Sequence, residues 1–229
     1  MSSPKQSPSV TLYCFTPLVT LITGLIEISL ALYTWWRYRS THLGRLSTAL
    51  LILLATFQLS EFGICSGGPG NLLTRLGLIS TAFMPIIGIH AITVMTRQKL
   101  SLVGGYAIAS ALAIFIAIAP DVAPFASCLG RFVAIPISSP FGVIYLLYYT
   151  TGLLMAIGLL IQALRAKTAP HLAIEWLLAG YLAFTVPTAL VYILVTTTQE
   201  SIASILCGFA VILALILTFK VLPLALSKK

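Results

Sequence analysis

The strongest constraint on this chain is that charge nearly vanishes from it in seven separate stretches. Apolar runs fall near 12–36, 46–64, 73–96, 100–119, 141–164, 172–196 and 201–225. Each is close to the roughly 20 residues that cross a bilayer as an α-helix. Only 8% of the 229 residues are charged and 59% are hydrophobic, against about a quarter charged in a soluble domain. The expectation is an all-α, polytopic membrane bundle of seven transmembrane helices. Residues 1–11 read as a polar tail, 12–225 as the transmembrane domain and 226–229 as a basic tail. On this reading the crossings use nearly the whole chain, leaving no room for a soluble catalytic domain. The opening MSSPKQSPSV lacks the basic start and small-residue cleavage site of a signal peptide, so the first run is expected to stay as a helix.

The cations set a direction. Arg37, Arg39 and Arg45 fall in the first loop, Arg97 and Lys99 in the third, Arg165 and Lys167 in the fifth, and Lys228 and Lys229 in the tail. The other side holds Lys5, Arg75 and Arg131. The positive-inside rule makes the C-terminus cytoplasmic, and seven spans then put the N-terminus outside. The formal charge of +8 therefore reads as topology, with lipid as the partner and no nucleic acid. Trp35, Trp36 and Trp176 at inner boundaries, and Tyr145, Tyr148 and Tyr149 near the outer face, read as headgroup-level anchors. The long outer loop PDVAPFASCLGRFVAIPISSP reads as a proline-rich cap.

This topology carries all four cysteines toward one side. Cys65 and Cys128 lie in outer loops, and Cys14 and Cys207 near the outer ends of the first and last spans. Depth favours Cys65 with Cys128 and Cys14 with Cys207. The alternative is four free thiols packed as small apolar groups.

Ionisable residues inside spans are costly, so they face the bundle interior and take partners. Glu27 sits mid-span on a face with Thr16, Thr20, Thr23, Gly24, Ala31 and Thr34. Such a stripe either packs closely on another helix, with Glu27 neutral, or lines a cavity. Gln58 and Glu61, three apart, share a face of the second span above Ser47 and Leu54. Glu61 is either an interface glutamate meeting Arg75 or Arg131, or the mouth of a polar cavity floored by Glu27. His90, Glu175 (with His171) and Lys220 lie toward the inner side. They could form a proton-linked cluster, or Lys220 could snorkel to the headgroups. No HExxH, phosphate-cradling loop or nucleophile elbow occurs, and the three histidines lack zinc-ligand spacing. No catalytic set and no metal site is expected, and a cofactor is left open.

RYRSTHL (37–43) and RAKTAPHL (165–172) match at their basic residues and at His-Leu. Spans one to three and five to seven would then be parallel repeats around a linker helix, similar to the three-one-three plan of sugar-transporting SWEET proteins. Other residues resemble a family of bacterial seven-helix membrane proteins with no assigned activity: Cys14-Phe15-Thr16, Gln58-Leu59-Ser60-Glu61, Met84-Pro85 and Cys207-Gly208-Phe209. That family begins Met-Cys-Phe-Ser and carries Gln-x-x-Glu-Gly at the end of its second span, Trp-Pro in its third and Cys-Phe near the start of its last. The chain departs from the pattern where a dozen residues precede Cys14, where Phe62 intervenes before Gly63, and where Met84 stands for tryptophan. The resemblance supports the span count and the choice of Gln58, Glu61, Cys14 and Cys207, and says nothing of substrate; a bacterial plasma membrane is the expected location.

The functional expectation is a small-solute or proton-linked transporter or channel. Glu27, Gln58 and Glu61 would line its path, with His90, Glu175 and Lys220 toward the inner gate and a small ligand or ion as cargo. The alternative is a receptor-like sensor, or an accessory subunit with a protein partner.

Overall fold

The structure is a computed structural model that describes residues 17–119, 127–128, 133–134, 140–167, 170–194 and 202–227. Seven helices follow one another: α1 (Pro17–Tyr38), α2 (His42–Cys65), α3 (Gly70–Thr96), α4 (Val103–Ile118), α5 (Pro140–Arg165), α6 (His171–Leu194) and α7 (Ile202–Ile216). α7 runs on through a π-helical turn, Leu217–Val221, into α8 (Leu222–Leu226). A two-residue antiparallel pair, β1 (Ser127–Cys128) with β2 (Val133–Ala134), rests against α2. Cys14, Thr16, Arg131 and both expected tails up to 11 and from 228 lie outside the described residues, as do the side chains of Cys128 and Cys207.

Local chemistry sets the helix ends. The Thr41 hydroxyl accepts from the Gly44 N–H at 3.0 Å, satisfying an orphan donor at the start of α2. At the far end of α2 the chain turns through Gly67, whose φ of +82° suits glycine, which has no Cβ to clash. Arg97 takes the same left-handed region, at φ 57°, to close α3.

Six helices are long and apolar enough to cross a membrane. The expected fourth span is the exception. α4 has 16 residues, about 24 Å of helix, against a hydrocarbon core of about 30 Å. Its far end is closed by a side chain from α3. Arg75 donates to the carbonyls of Ile116, Ala117 and Ala119, and its Nε donates to Asn71 at 2.7 Å. A helix end leaves four carbonyls without donors, and a planar guanidinium serves several at once.

α2 and α3 form the centre. α1 packs on α2, α4 and α5 pack on α3, and α6 joins α5 to α7, which returns to touch α1 and α2. The core runs through Leu51, Leu54, Phe57, Ile92, Leu160 and Ile174. α1 is built inside out. Its buried face holds Thr20, Thr23, Gly24, Glu27, Ala31 and Thr34, while Leu18, Ile22, Leu25, Leu32 and Trp36 face outward. An apolar outer surface over a polar buried stripe is what a lipid solvent selects.

The first, third and fifth turns share one end of the bundle, the end that carries Arg37, Arg39, Arg97 and Lys167. It is called the basic end below. At the far end, Tyr145 and Tyr148, expected as headgroup anchors, are engaged by the backbone of a neighbouring helix. Their hydroxyls donate to the carbonyls of Leu78 (2.6 Å) and Ala82 (2.7 Å) on α3. The reason is geometric: α5 packs on α3 there, and a buried phenol O–H takes a partner within reach.

Candidate functional site

The α1–α2 seam carries the polar residues singled out in the sequence, and its register follows from two close approaches. A Cβ built on Gly24 would lie 3.4 Å from the Gln58 Cβ. At the turn, Gly44 sits against the Tyr38 carbonyl. The same antiparallel register puts Glu27 across from Ala55, and Thr34 across from Thr48, beside Ser47.

Glu27 and Gln58 are one turn apart in this register, and their Cα–Cβ bonds tilt toward one another. A side chain tilts toward the N-terminus of its own helix. α1 starts at the far end and α2 at the basic end, so Glu27 tips toward the far end and Gln58 toward the basic end. Both are fully buried. Among the described residues, neither Glu27 carboxyl oxygen nor either polar atom of the Gln58 amide has a hydrogen-bond partner. Thr23, above Glu27 on the same face, does not serve them, because its hydroxyl donates to the Val19 and Thr20 carbonyls.

Glu61 lies on the same buried face of α2, one turn beyond Gln58. It is engaged, with one carboxyl oxygen, Oε2, left buried and without a hydrogen bond. The Arg75 guanidinium reaches the end of α4, as described. Cys65 ends α2 and is likewise engaged rather than free.

The other three candidates do not join this seam. His90 bonds the Tyr106 hydroxyl through Nδ1 at 2.8 Å, and its ring meets the edge of His42 at 5.1 Å. That group ties α2, α3 and α4 together near the basic end. Glu175 pairs with His171 at 3.0 Å on the surface of α6. Lys220 lies over the Trp176 ring, 5.5 Å from its centre. The expected cluster of His90, Glu175 and Lys220 therefore resolves into three separate contacts.

Sequence reasoning missed Thr218, which is fully buried in the π-helical turn with an unpartnered hydroxyl. The available signal is Pro223. A proline lacks an N–H and crowds the carbonyl four residues back, which here falls inside the π turn.

Chemically, Glu27 and Gln58 offer a carboxyl and an amide in a closed setting. A carboxyl accepts hydrogen bonds when ionised and also donates when protonated, and an amide can answer either form. No group of three or more potential metal ligands occurs among the described residues. Two apolar voids of about 10 and 30 Å³ lie between α2, α3, α6 and α7, lined by residues such as Leu50, Tyr181 and Leu213. No known family model matches the chain, and no curated protein matches it.

Proposed function

We propose that this chain is a proton-linked transporter or channel of a bacterial plasma membrane, in which Glu27 carries the proton and Gln58 is its first partner. One observation carries the reading. A carboxyl and an amide one turn apart on the α1–α2 seam are wholly buried and have no hydrogen bonds. Burying such groups without partners costs several kcal/mol, roughly 2.5–3.5 for an acidic group at a span centre. A packing role would be served as well by leucine and at no such cost. Gln58 can donate its N–H to an ionised Glu27 or present its carbonyl to a protonated one, so the pair tolerates both states.

The N-terminus is taken as outside and the C-terminus as cytoplasmic, because the basic turns gather at one end. Glu61 then lies nearer the outer face and Glu27 at mid-depth. We also propose a Cys65–Cys128 disulfide in the outer cap, supported by the packing of β1 (Ser127–Cys128) on α2, which ends at Cys65.

The test is proton movement into proteoliposomes containing an entrapped pH-sensitive dye, driven by an imposed pH gradient. Wild type should acidify the interior faster than protein-free vesicles. Glu27→Gln should cut that rate at least tenfold while remaining folded. Equal rates for Glu27→Gln and wild type would reject the assignment. The second reading, a receptor-like sensor or accessory subunit, is favoured by the closure of the seam, since Glu27 and Gln58 have no exposed surface. Wild-type vesicles that move no protons would favour it.

A further inference from the structure

A second group of unpartnered polar atoms lies toward the basic end. Thr34 of α1, Ser47 of α2 and Thr218 of the π-helical turn are each fully buried, and none of the three hydroxyls has a hydrogen bond. This is unusual within the same molecule. The other buried threonines and serines among the described residues, such as Thr48, Thr74 and Thr96, donate to a carbonyl three or four residues back. That fallback is open to any helical hydroxyl. The three that leave it unused come from three different elements.

Independent contacts bring those elements to one depth. The seam register sets Thr34 beside Ser47. The Tyr33 and Phe219 rings, next in sequence to Thr34 and Thr218, are 5.8 Å apart. Leu43 and Leu50, which flank Ser47 on α2, line one void with Leu217 and Val221 of the π turn. The backbone adds a fourth polar atom. Leu222 donates its N–H to Leu217 rather than to Thr218, and Pro223 has none to give. The Thr218 carbonyl thus loses both donors that an α- or a π-turn would supply.

We propose that Thr34, Ser47 and the hydroxyl and carbonyl of Thr218 hold a buried water, and that this water is the step by which protons leave Glu27 toward the basic end. A buried water makes about three hydrogen bonds to polar groups that otherwise lack them, and these three elements offer four candidate atoms. The three hydroxyls and the carbonyl bring no charge to balance a bare cation. The water and the hydroxyls each accept one proton on oxygen and release another, while the Thr218 carbonyl only accepts a hydrogen bond, so no covalent bond outside O–H changes and no charge stays behind. Thr34 lies two turns below Glu27, about 10 Å along α1, so further water beside small Ala31, on the same face, must join them for a proton to pass. The exit role rests on the proton-linked reading above. The water site does not.

The experiment compares wild type with Thr34→Val/Ser47→Ala/Thr218→Val, which removes the hydroxyls with little change of shape. Thr34→Ser/Ser47→Thr/Thr218→Ser keeps them. Two quantities are read: dye-reported proton uptake by proteoliposomes and the thermal unfolding midpoint in detergent. The expected result is a tenfold or greater loss of uptake in the first variant, with its midpoint equal to or below wild type, and near-normal uptake in the second. A midpoint raised by several degrees in the first variant overturns the water site whatever the uptake does, because dry, unpartnered hydroxyls gain from apolar replacement. An unraised midpoint with unchanged uptake overturns the exit role. If wild type moves no protons, the proton-linked reading fails, and the midpoint alone still decides the water site.

Discussion

Gln58 of α2 lies directly across from Gly24 of α1, so closely that a methyl group on residue 24 would sit 3.4 Å from the Gln58 Cβ and 3.2 Å from the Leu59 Cδ2. Glycine here lets the helices approach until the polar stripe is sealed from lipid. Gly24→Ala should be nearly neutral, because the Leu59 end can move and alanine favours the helix by about 1 kcal/mol. Gly24→Leu should push α1 off the seam and cost roughly 1–3 kcal/mol. Thermal unfolding in detergent checks both, and equal midpoints for the two variants would mean that the approach does not matter.

Removing the Glu27 carboxyl should trade function for stability. Glu27→Leu fills the same space without an unpartnered polar group, so it should stabilise the fold by about 1–3 kcal/mol and abolish proton uptake. A destabilised Glu27→Leu would show that the carboxyl is structurally satisfied.

Arg75 holds the end of α4 through three carbonyls. Arg75→Ala should lower stability by roughly 1.5–3 kcal/mol, the range for hydrogen bonds to a charged group. Amide exchange should rise in the last turn of α4, and Arg75→Lys should recover only part, since an ammonium cannot fork across several acceptors. Full recovery with lysine would reduce the role of Arg75 to its charge.

The His171–Glu175 pair is about half exposed, at 48% and 50% for the two side chains. Exposed pairs at this spacing contribute little, so Glu175→Gln should change stability by less than about 0.5 kcal/mol. It should leave proton uptake unchanged. A large uptake defect would return Glu175 to the path.

The proposed outer disulfide predicts that Cys65 and Cys128 resist maleimide labelling of the unfolded protein until a reductant is added. Immediate labelling of both residues would show them to be free thiols.

Six of the seven expected spans were legible because crossing a bilayer is a local demand. Each needs a long apolar run, and the helices start and stop within a few residues of those runs; α1's buried stripe likewise follows from helical spacing alone. Glu27 and Gln58 stood out for the same reason, since a polar residue inside an apolar run is visible without neighbours. Depth was legible too, but partnership was not. His90, Glu175 and Lys220 share a depth in the chain, yet each meets a different neighbour, because the helix packing order decides which faces meet. Only the tertiary structure decided that Arg75 closes α4, that Tyr145 and Tyr148 turn onto α3, and that α7 returns to α1 and α2. The proposed water site depends on that last contact to set Thr218 near Thr34 and Ser47. Those residues are far apart in sequence, and nothing local distinguishes them from the threonines that bond their own helix.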